Sequence, residues 1–134
     1  MKKFLQILFI MALTIPLFSC SKEKAVLLFN KQPINTVTIN TPTNLFELGD
    51  TTHYVIFNPK GFKSPYLRLQ VIKKDKKVQN WGYKIYVAKN LKIDTSKNYY
   101  IDEMKISQKG FYIVSVYYFQ DLVHPIVRAS FEVQ

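Results

Sequence analysis

Apolar and polar residues alternate along much of the chain after residue 25, and no stretch there repeats apolar residues with helical spacing. The segment 126–133 places an apolar residue at every second position from Val127, with polar residues between them. Such alternation is typical of an antiparallel strand with one buried face and one wet face. Segment 66–71 repeats the pattern, with Leu67 and Leu69 on its predicted inner face.

Other segments predict further strands. The run 111–119 is apolar at both odd and even positions, which indicates a central strand that is covered on both faces. Shorter strands are predicted at 25–29, 36–39, 53–57, 83–87 and 99–106. In the last of these, Ile101 and Met104 are out of phase, and a β-bulge at Asp102 and Glu103 would restore the alternation.

Turn-forming residues separate these runs. Asn58-Pro59-Lys60-Gly61 predicts a turn, Ser64-Pro65 precedes a strand, and 73–77 is interpreted as an exposed hairpin tip. Residues 120–125 are expected to close the final hairpin. Seven or eight short strands without helices predict an all-β fold, a two-sheet antiparallel sandwich.

The segment 106–117 resembles the penultimate strand of an immunoglobulin-like domain. The resemblance lies in the spacing of Gly110, Tyr112, Val114 and Val116. It implies that Tyr112 forms a tyrosine corner, in which its hydroxyl bonds back to the main chain. A jelly roll fits the same pattern nearly as well, so both arrangements stay open.

The N-terminal segment has the organisation of a secretion signal, with Lys2 and Lys3 followed by an apolar run over 4–18. Leu17-Phe18-Ser19-Cys20 resembles a lipobox, and Cys20 is the single cysteine of the chain. The resemblance implies a signal peptide at 1–19, an acylated Cys20 with a tether at 20–24, and a β-sandwich domain at 25–134. An ordinary signal peptide or an N-terminal anchor helix is the alternative.

Two or three acyl chains, palmitate among them, hold a protein stably on a membrane. We therefore expect an outer-membrane lipoprotein. Lys22-Glu23 is half of the lysine-plus-acid signal that sends some Bacteroidota lipoproteins to the cell surface, and Lys24 interrupts the other half. The sequence leaves both the periplasmic face and the outer face open.

The formal net charge is +10, from 19 lysines and arginines against nine acids. Arg68 and Arg128 are the only arginines, whereas bidentate phosphate recognition favours arginine. We therefore expect no nucleic-acid partner. The lysine excess fits either a solvated surface or an anionic lipid or polymer.

The sequence predicts no catalytic apparatus. His53 and His124 have no second metal ligand at local spacing, and the adjacent Asp102 and Glu103 point to opposite faces of a regular strand. Nucleophile-elbow, phosphate-loop and paired-cysteine motifs are missing. We expect no enzyme activity, no metal and no cofactor beyond the lipid on Cys20.

Two features are candidates for binding: the lysine-rich hairpin and the aromatic residues that follow it. The candidate residues are Lys73, Lys74, Lys76, Lys77, Trp81 and Tyr83. Lysines at a hairpin tip favour anionic surfaces or act as a solvated guard against aggregation. Exposed tryptophan and tyrosine are typical anchors for sugars and for protein partners.

The whole plan, a lipidated cysteine followed by one small sandwich, resembles small lipoproteins of Bacteroidota. The segments 50–54, 64–67 and 109–112 resemble the gliding-motility lipoprotein GldH, which serves movement and type IX secretion. The resemblance implies a non-enzymatic accessory subunit that docks, by a sheet edge or an aromatic face, onto a larger outer-membrane protein. A cell-surface module for glycan or anionic polymer and an inhibitor or immunity-type lipoprotein are the alternatives.

Overall fold

The computed structural model describes residues 24–75 and 82–134. These residues form eight strands and a single 3₁₀ turn at Thr38–Asn40. The strands are β1 (Val26–Asn30), β2 (Leu45–Phe46), β3 (Thr51–Phe57), β4 (Tyr66–Lys74), β5 (Tyr83–Lys92), β6 (Tyr99–Lys105), β7 (Gly110–Tyr118) and β8 (Val127–Val133). The predicted all-β class is confirmed. No helix within the described ranges is long and apolar enough to cross a bilayer.

The strands form two sheets, as the sequence predicted. The small sheet has the order β1-β3-β6, and the large sheet has the order β2-β8-β7-β4-β5. All pairings are antiparallel except the short parallel pairing of β2 with β8. This division, with β1, β3 and β6 opposite β5, β4, β7 and β8, corresponds to the A-B-E and C′-C-F-G sheets of an immunoglobulin domain.

Aromatic side chains from both sheets meet in the core. The ring of Phe131 in β8 lies 5.0 Å from Phe29 in β1, 5.6 Å from Phe46 in β2 and 5.3 Å from Tyr112 in β7. All four side chains are buried. Since Phe29 belongs to the small sheet and the other three to the large sheet, this cluster is an apolar link between the sheets, and its ring pairs contribute beyond the area they bury.

The predicted tyrosine corner is present. The Tyr112 hydroxyl donates a 2.6 Å hydrogen bond to the carbonyl of Gln108, and the Tyr112 side chain is fully buried. Gly110 stands at φ +152°, where a side chain is strained, and a Cβ there would lie 2.7 Å from Cε of Lys73. Glycine and tyrosine therefore occupy these positions for separate reasons, a positive φ and an internal hydrogen bond.

The strand predicted at 36–39 is wrong. This segment forms a 3₁₀ turn because polar side chains hydrogen-bond to its backbone. The Asn35 carboxamide oxygen accepts from the amides of Val37 and Thr38. The Thr38 hydroxyl in turn donates to the carbonyl of Pro33 at 2.7 Å. Local bonds of this kind compete with a sheet ladder, and here they replace it.

The bulge predicted at Asp102 and Glu103 is also wrong. β3 and β6 pair in regular register along their whole length, so Ile101 lies on the outer face, 44% exposed, and Asp102 faces inward. The irregularity occurs instead in β5, where Tyr86 is the extra residue opposite Val71 and Ile72 of β4. That bulge turns Tyr86 toward the core, where its ring lies 5.2 Å from Tyr112.

Candidate functional site

A groove of about 1040 Å³ lies at the end of the large sheet where β4 ends and β5 and β7 begin. Residues 73–75, 83–86, 108–111 and 132–133 line it, and we call it the hairpin groove. Its strands position its side chains by register: Lys74 stands opposite Tyr83, and Lys73 stands opposite Lys84.

The groove has an apolar part on the outer face of the sheet. Ile85 is 64% exposed, and Tyr83 and Phe111 are each 38% exposed. Ile72 pairs with Ile85 on one side and with Ile113 on the other, so three isoleucines form a row across β5, β4 and β7. Contiguous apolar side chains on a solvent face are characteristic of surfaces that bind a partner.

Lysines also line the groove. The Lys73 ammonium donates to Oε1 of Gln108 at 2.9 Å, and the Lys84 ammonium lies 2.8 Å from a carboxylate oxygen of Asp75. Lys74 and Lys109 complete the basic lining, and Glu132 is the second acid. The described lining therefore carries more positive than negative charge, which favours an anionic or acidic ligand surface.

A second polar cluster lies on the open side of the sandwich, between β5 and β6. The Asp102 carboxylate accepts hydrogen bonds from the Tyr54 hydroxyl at 3.3 Å, the Tyr100 hydroxyl at 3.1 Å and the Lys89 ammonium at 2.7 Å. Its other oxygen accepts from the amide of Glu103 at 2.9 Å. Since Lys89 belongs to the large sheet and Asp102 to the small sheet, this cluster joins the two sheets.

The electrostatics of this cluster indicate a structural role. Burial alone would raise the pKa of Asp102, but hydrogen bonds from Lys89, the Glu103 amide and Tyr100 outweigh it, and the pKa is lowered. Burial and the nearby Asp102 charge raise the pKa of Tyr100 to about 12, and the pKa of Tyr54 is raised further. Both phenols therefore stay protonated as donors, and neither is activated as a base or nucleophile.

The two histidines each face one carboxylate. Nδ1 of His53 lies 3.3 Å from Glu103 on the outer face of the small sheet, and Nδ1 of His124 lies 3.0 Å from Asp121 within one loop. Over residues 24–75 and 82–134, no three histidine, cysteine or acidic side chains gather in a way that could hold a metal ion.

The chain is similar to two solved structures of bacterial proteins. An immunoglobulin-like protein from Pseudomonas aeruginosa matches with a TM-score of 0.50 and 12% identity, over 83% of this chain and 90% of that chain. The PmoD soluble domain from Methylocystis matches with a TM-score of 0.50 and 15% identity, over 82% and 90%. The fold is immunoglobulin-like. At these identities the similarity shows the fold alone.

No protein-family model matches the chain, and no curated protein sequence matches it. The resemblance to Bacteroidota lipoproteins and to GldH therefore stays a prediction, as does acylation of Cys20, which lies outside the described residues.

The immunoglobulin-like domain brings together part of the predicted binding set. Lys73, Lys74 and Tyr83 all line the hairpin groove. The first two belong to β4 and not to a turn tip, because the strand continues to Lys74 and the Asp75 amide then bonds to the Gly82 carbonyl at 2.8 Å. Lys76, Lys77 and Trp81 lie outside the described residues.

Among the groove residues that were missed from sequence are Ile85, Phe111, Lys84 and Lys109. Ile85 follows Tyr83 at the strand period of two, so the alternation that places Tyr83 outward places Ile85 beside it. Phe111 follows Gly110 at the start of β7, where the predicted burial of both strand faces hid its exposure.

Proposed function

We propose that this chain is a non-enzymatic interaction module of the cell envelope, a lipid-anchored immunoglobulin-like domain that binds a larger outer-membrane protein through the hairpin groove. One observation carries the proposal: Tyr83, Ile85 and Phe111 are exposed in one groove, and lysines line the same groove. A tyrosine or phenylalanine anchor at the centre of a polar border is the usual composition of a protein-binding surface.

The charge of the groove defines the partner more closely. A surface that places an apolar side chain against Ile85 and carboxylates against Lys73, Lys84 and Lys109 would complement both features. Such charge pairs at the border steer association and select the partner, while the apolar contact supplies most of the affinity.

Of the two docking modes that the sequence left open, the face is favoured over the edge. β5 is the edge strand of the large sheet and carries Lys84, Lys89 and Lys92 along its length. Lysines on an edge strand oppose the addition of a further strand. The outer face, in contrast, presents the row of isoleucines that ends at Ile85.

A glycan site is less well supported. Neutral sugars are bound by a flat ring with flanking amides, and Gln108 is the one amide side chain in the described lining of the groove. Its Oε1 already accepts a hydrogen bond from Lys73 at 2.9 Å. The remaining polar groups are mostly ammonium groups, which favour carboxylates on a protein surface.

A photo-crosslinking amino acid at position 85 of the full chain, expressed in the native bacterium, tests this proposal. We expect one discrete adduct with a membrane protein from position 85, and none from the control position Val37, which is 75% exposed on a loop. Tyr83→Ala should remove the adduct, whereas Tyr66→Ala, at a tyrosine 52% exposed elsewhere on the sheet, should leave it.

Three outcomes would overturn the proposal. The first is no adduct from position 85, and the second is the same adduct from position 37. The third is an adduct of twice the chain mass, which would show that the groove binds a second copy of this chain.

A further inference from the structure

The end of the sandwich opposite the hairpin groove is formed by Lys24 and the loops 58–65, 93–98 and 119–126. Hydrogen bonds join these loops into one surface. The Asn58 amide donates to the Asn98 carbonyl at 2.8 Å, the Lys63 amide to the Tyr118 hydroxyl at 3.0 Å, and Gln120 Nε2 to Ser64 Oγ at 3.1 Å. We call this surface the tether end.

The tether end exposes large apolar side chains. In the 119–126 loop, Phe119 is 50% exposed, Leu122 is 53% exposed and Val123 is 76% exposed. The Asp121 carboxylate holds this loop in shape by accepting from the amides of Val123 and His124. Val26, Tyr66 and Tyr99 add apolar surface at the adjoining strand ends, with exposures of 40%, 52% and 42%.

Lysines surround these apolar side chains. The exposed lysines at this end are Lys24, Lys60, Lys63, Lys92 and Lys97. Two acids, Asp94 and Asp121, lie among them. Both are engaged locally, since Asp94 accepts from the amide and hydroxyl of Ser96 and Asp121 accepts within its own loop. The balance of charge is therefore positive.

The N-terminal segment joins the domain at this same end. Lys24 leads directly into β1, and Cys20 is only four residues earlier in the sequence. Four residues reach at most about 14 Å. If Cys20 is acylated, the membrane would lie within that distance of Lys24. If the apolar run 4–18 stays as an anchor, the six residues from its end to Lys24 reach at most about 22 Å.

We propose that the tether end lies on the anionic surface of a lipid bilayer. Leu122, Val123 and Phe119 enter the interface, and the lysines contact the phosphate headgroups. Apolar side chains with a basic border, held beside an anchor, match both parts of an anionic membrane surface. Each lysine near such a surface favours the docked orientation about fivefold. The groove, at the opposite end, then points away from the membrane, so it would meet a part of its partner that projects from the bilayer.

This inference rests on the membrane attachment within the proposed function and adds the orientation of the domain. Tryptophan fluorescence of the full chain in vesicles tests it. On a Trp81→Phe background, Leu122→Trp reports on the tether end and Leu48→Trp on the opposite end. Leu48 is a matched control because it is 48% exposed, close to Leu122.

The vesicles are phosphatidylcholine with phosphatidylglycerol, and they carry bromine quenchers in the acyl chains. We expect strong quenching of the tryptophan at position 122 and none at position 48. Protein that sediments with the vesicles while position 122 stays unquenched, or while both positions are quenched equally, overturns the inference. Protein that stays in the supernatant overturns the membrane attachment itself.

Charge reversal tests the headgroup contacts separately. Lys60→Glu with Lys97→Glu should lower the ratio of docked to undocked domains by more than about fivefold at each site, because each change removes an attracted charge and adds a repelled one. Lys105→Glu with Lys109→Glu, the same change at the other end, should have no effect on quenching. Wild-type lysines on vesicles of pure phosphatidylcholine should give the same fall in quenching at position 122. If quenching at position 122 were unchanged both by the lysine-to-glutamate substitutions and in vesicles without anionic lipid, the proposed contacts between lysines and headgroups would be contradicted.

Discussion

Replacing Tyr112 with phenylalanine removes one oxygen atom from the centre of the sandwich and leaves the ring in place. The ring keeps its contacts with Tyr86 and Phe131, at 5.2 and 5.3 Å, so little apolar packing changes. What is lost is the 2.6 Å hydrogen bond to the Gln108 carbonyl. A buried hydrogen bond contributes about 0.5–1.5 kcal/mol net, and an acceptor left without a partner costs about 1–3 kcal/mol.

The environment of Gln108 decides between these figures. Gln108 is exposed, so water can reach its carbonyl and part of the cost is recovered. We therefore expect Tyr112→Phe to lower the free energy of unfolding by about 1–2 kcal/mol. Urea unfolding of the non-acylated domain measures it. Tyr66→Phe, at an exposed tyrosine, is the control and should change the value by less than about 0.5 kcal/mol. Equal effects of the two substitutions would refute the tyrosine corner as a source of stability.

Three further substitutions have definite expected outcomes. Asp102→Asn removes the ion pair with Lys89, so it should cost roughly 1 kcal/mol at neutral pH, a small value because both groups are partly exposed. Since the pKa of Asp102 is lowered in the folded state, the wild-type advantage should be present above the unfolded value of 3.8 and disappear as the pH falls below it. If urea unfolding showed that Asp102→Asn lowers the free energy of unfolding equally at neutral and at acid pH, this expectation would be contradicted. Gly110→Ala should lower the free energy of unfolding by about 1–2 kcal/mol because of the positive φ. Adding Lys73→Ala should recover only the part of that loss which comes from the clash of the new Cβ with the Lys73 side chain. If the double variant regained full stability, the clash alone would explain the glycine. Ile85→Asp should leave the free energy of unfolding within about 0.5 kcal/mol, because the side chain is already 64% exposed, while it abolishes partner binding. A large fall in the melting temperature would show that Ile85 supports the fold.

Alternation predicted most strands because one-sided burial leaves a period-two signal in the sequence. The inward residues of β4, Leu67, Leu69 and Val71, are 1% exposed or less, as that period requires. The segment 36–39 carries the same signal, but Asn35 and Pro33 offer its backbone local partners that a pattern of apolar residues does not reveal.

The candidate site was harder to predict for a geometric reason. Its composition depends on the register of β4 against β5, and one bulge at Tyr86 sets that register. Tyr83 could be chosen from sequence because an aromatic residue beside a lysine-rich hairpin is conspicuous. Ile85 is less conspicuous, since an isoleucine in a strand is normally a core residue, and its alternation with Tyr83 places it outward only once Tyr83 is known to face outward.

Purification of the full chain from native membranes in mild detergent tests the central claim, that the hairpin groove binds an outer-membrane protein. The wild-type chain should elute in a stoichiometric complex with one membrane protein, and the folded Ile85→Asp variant should elute alone. A wild-type chain that elutes as a clean monomer, or an Ile85→Asp chain that keeps the same partner, would contradict the account.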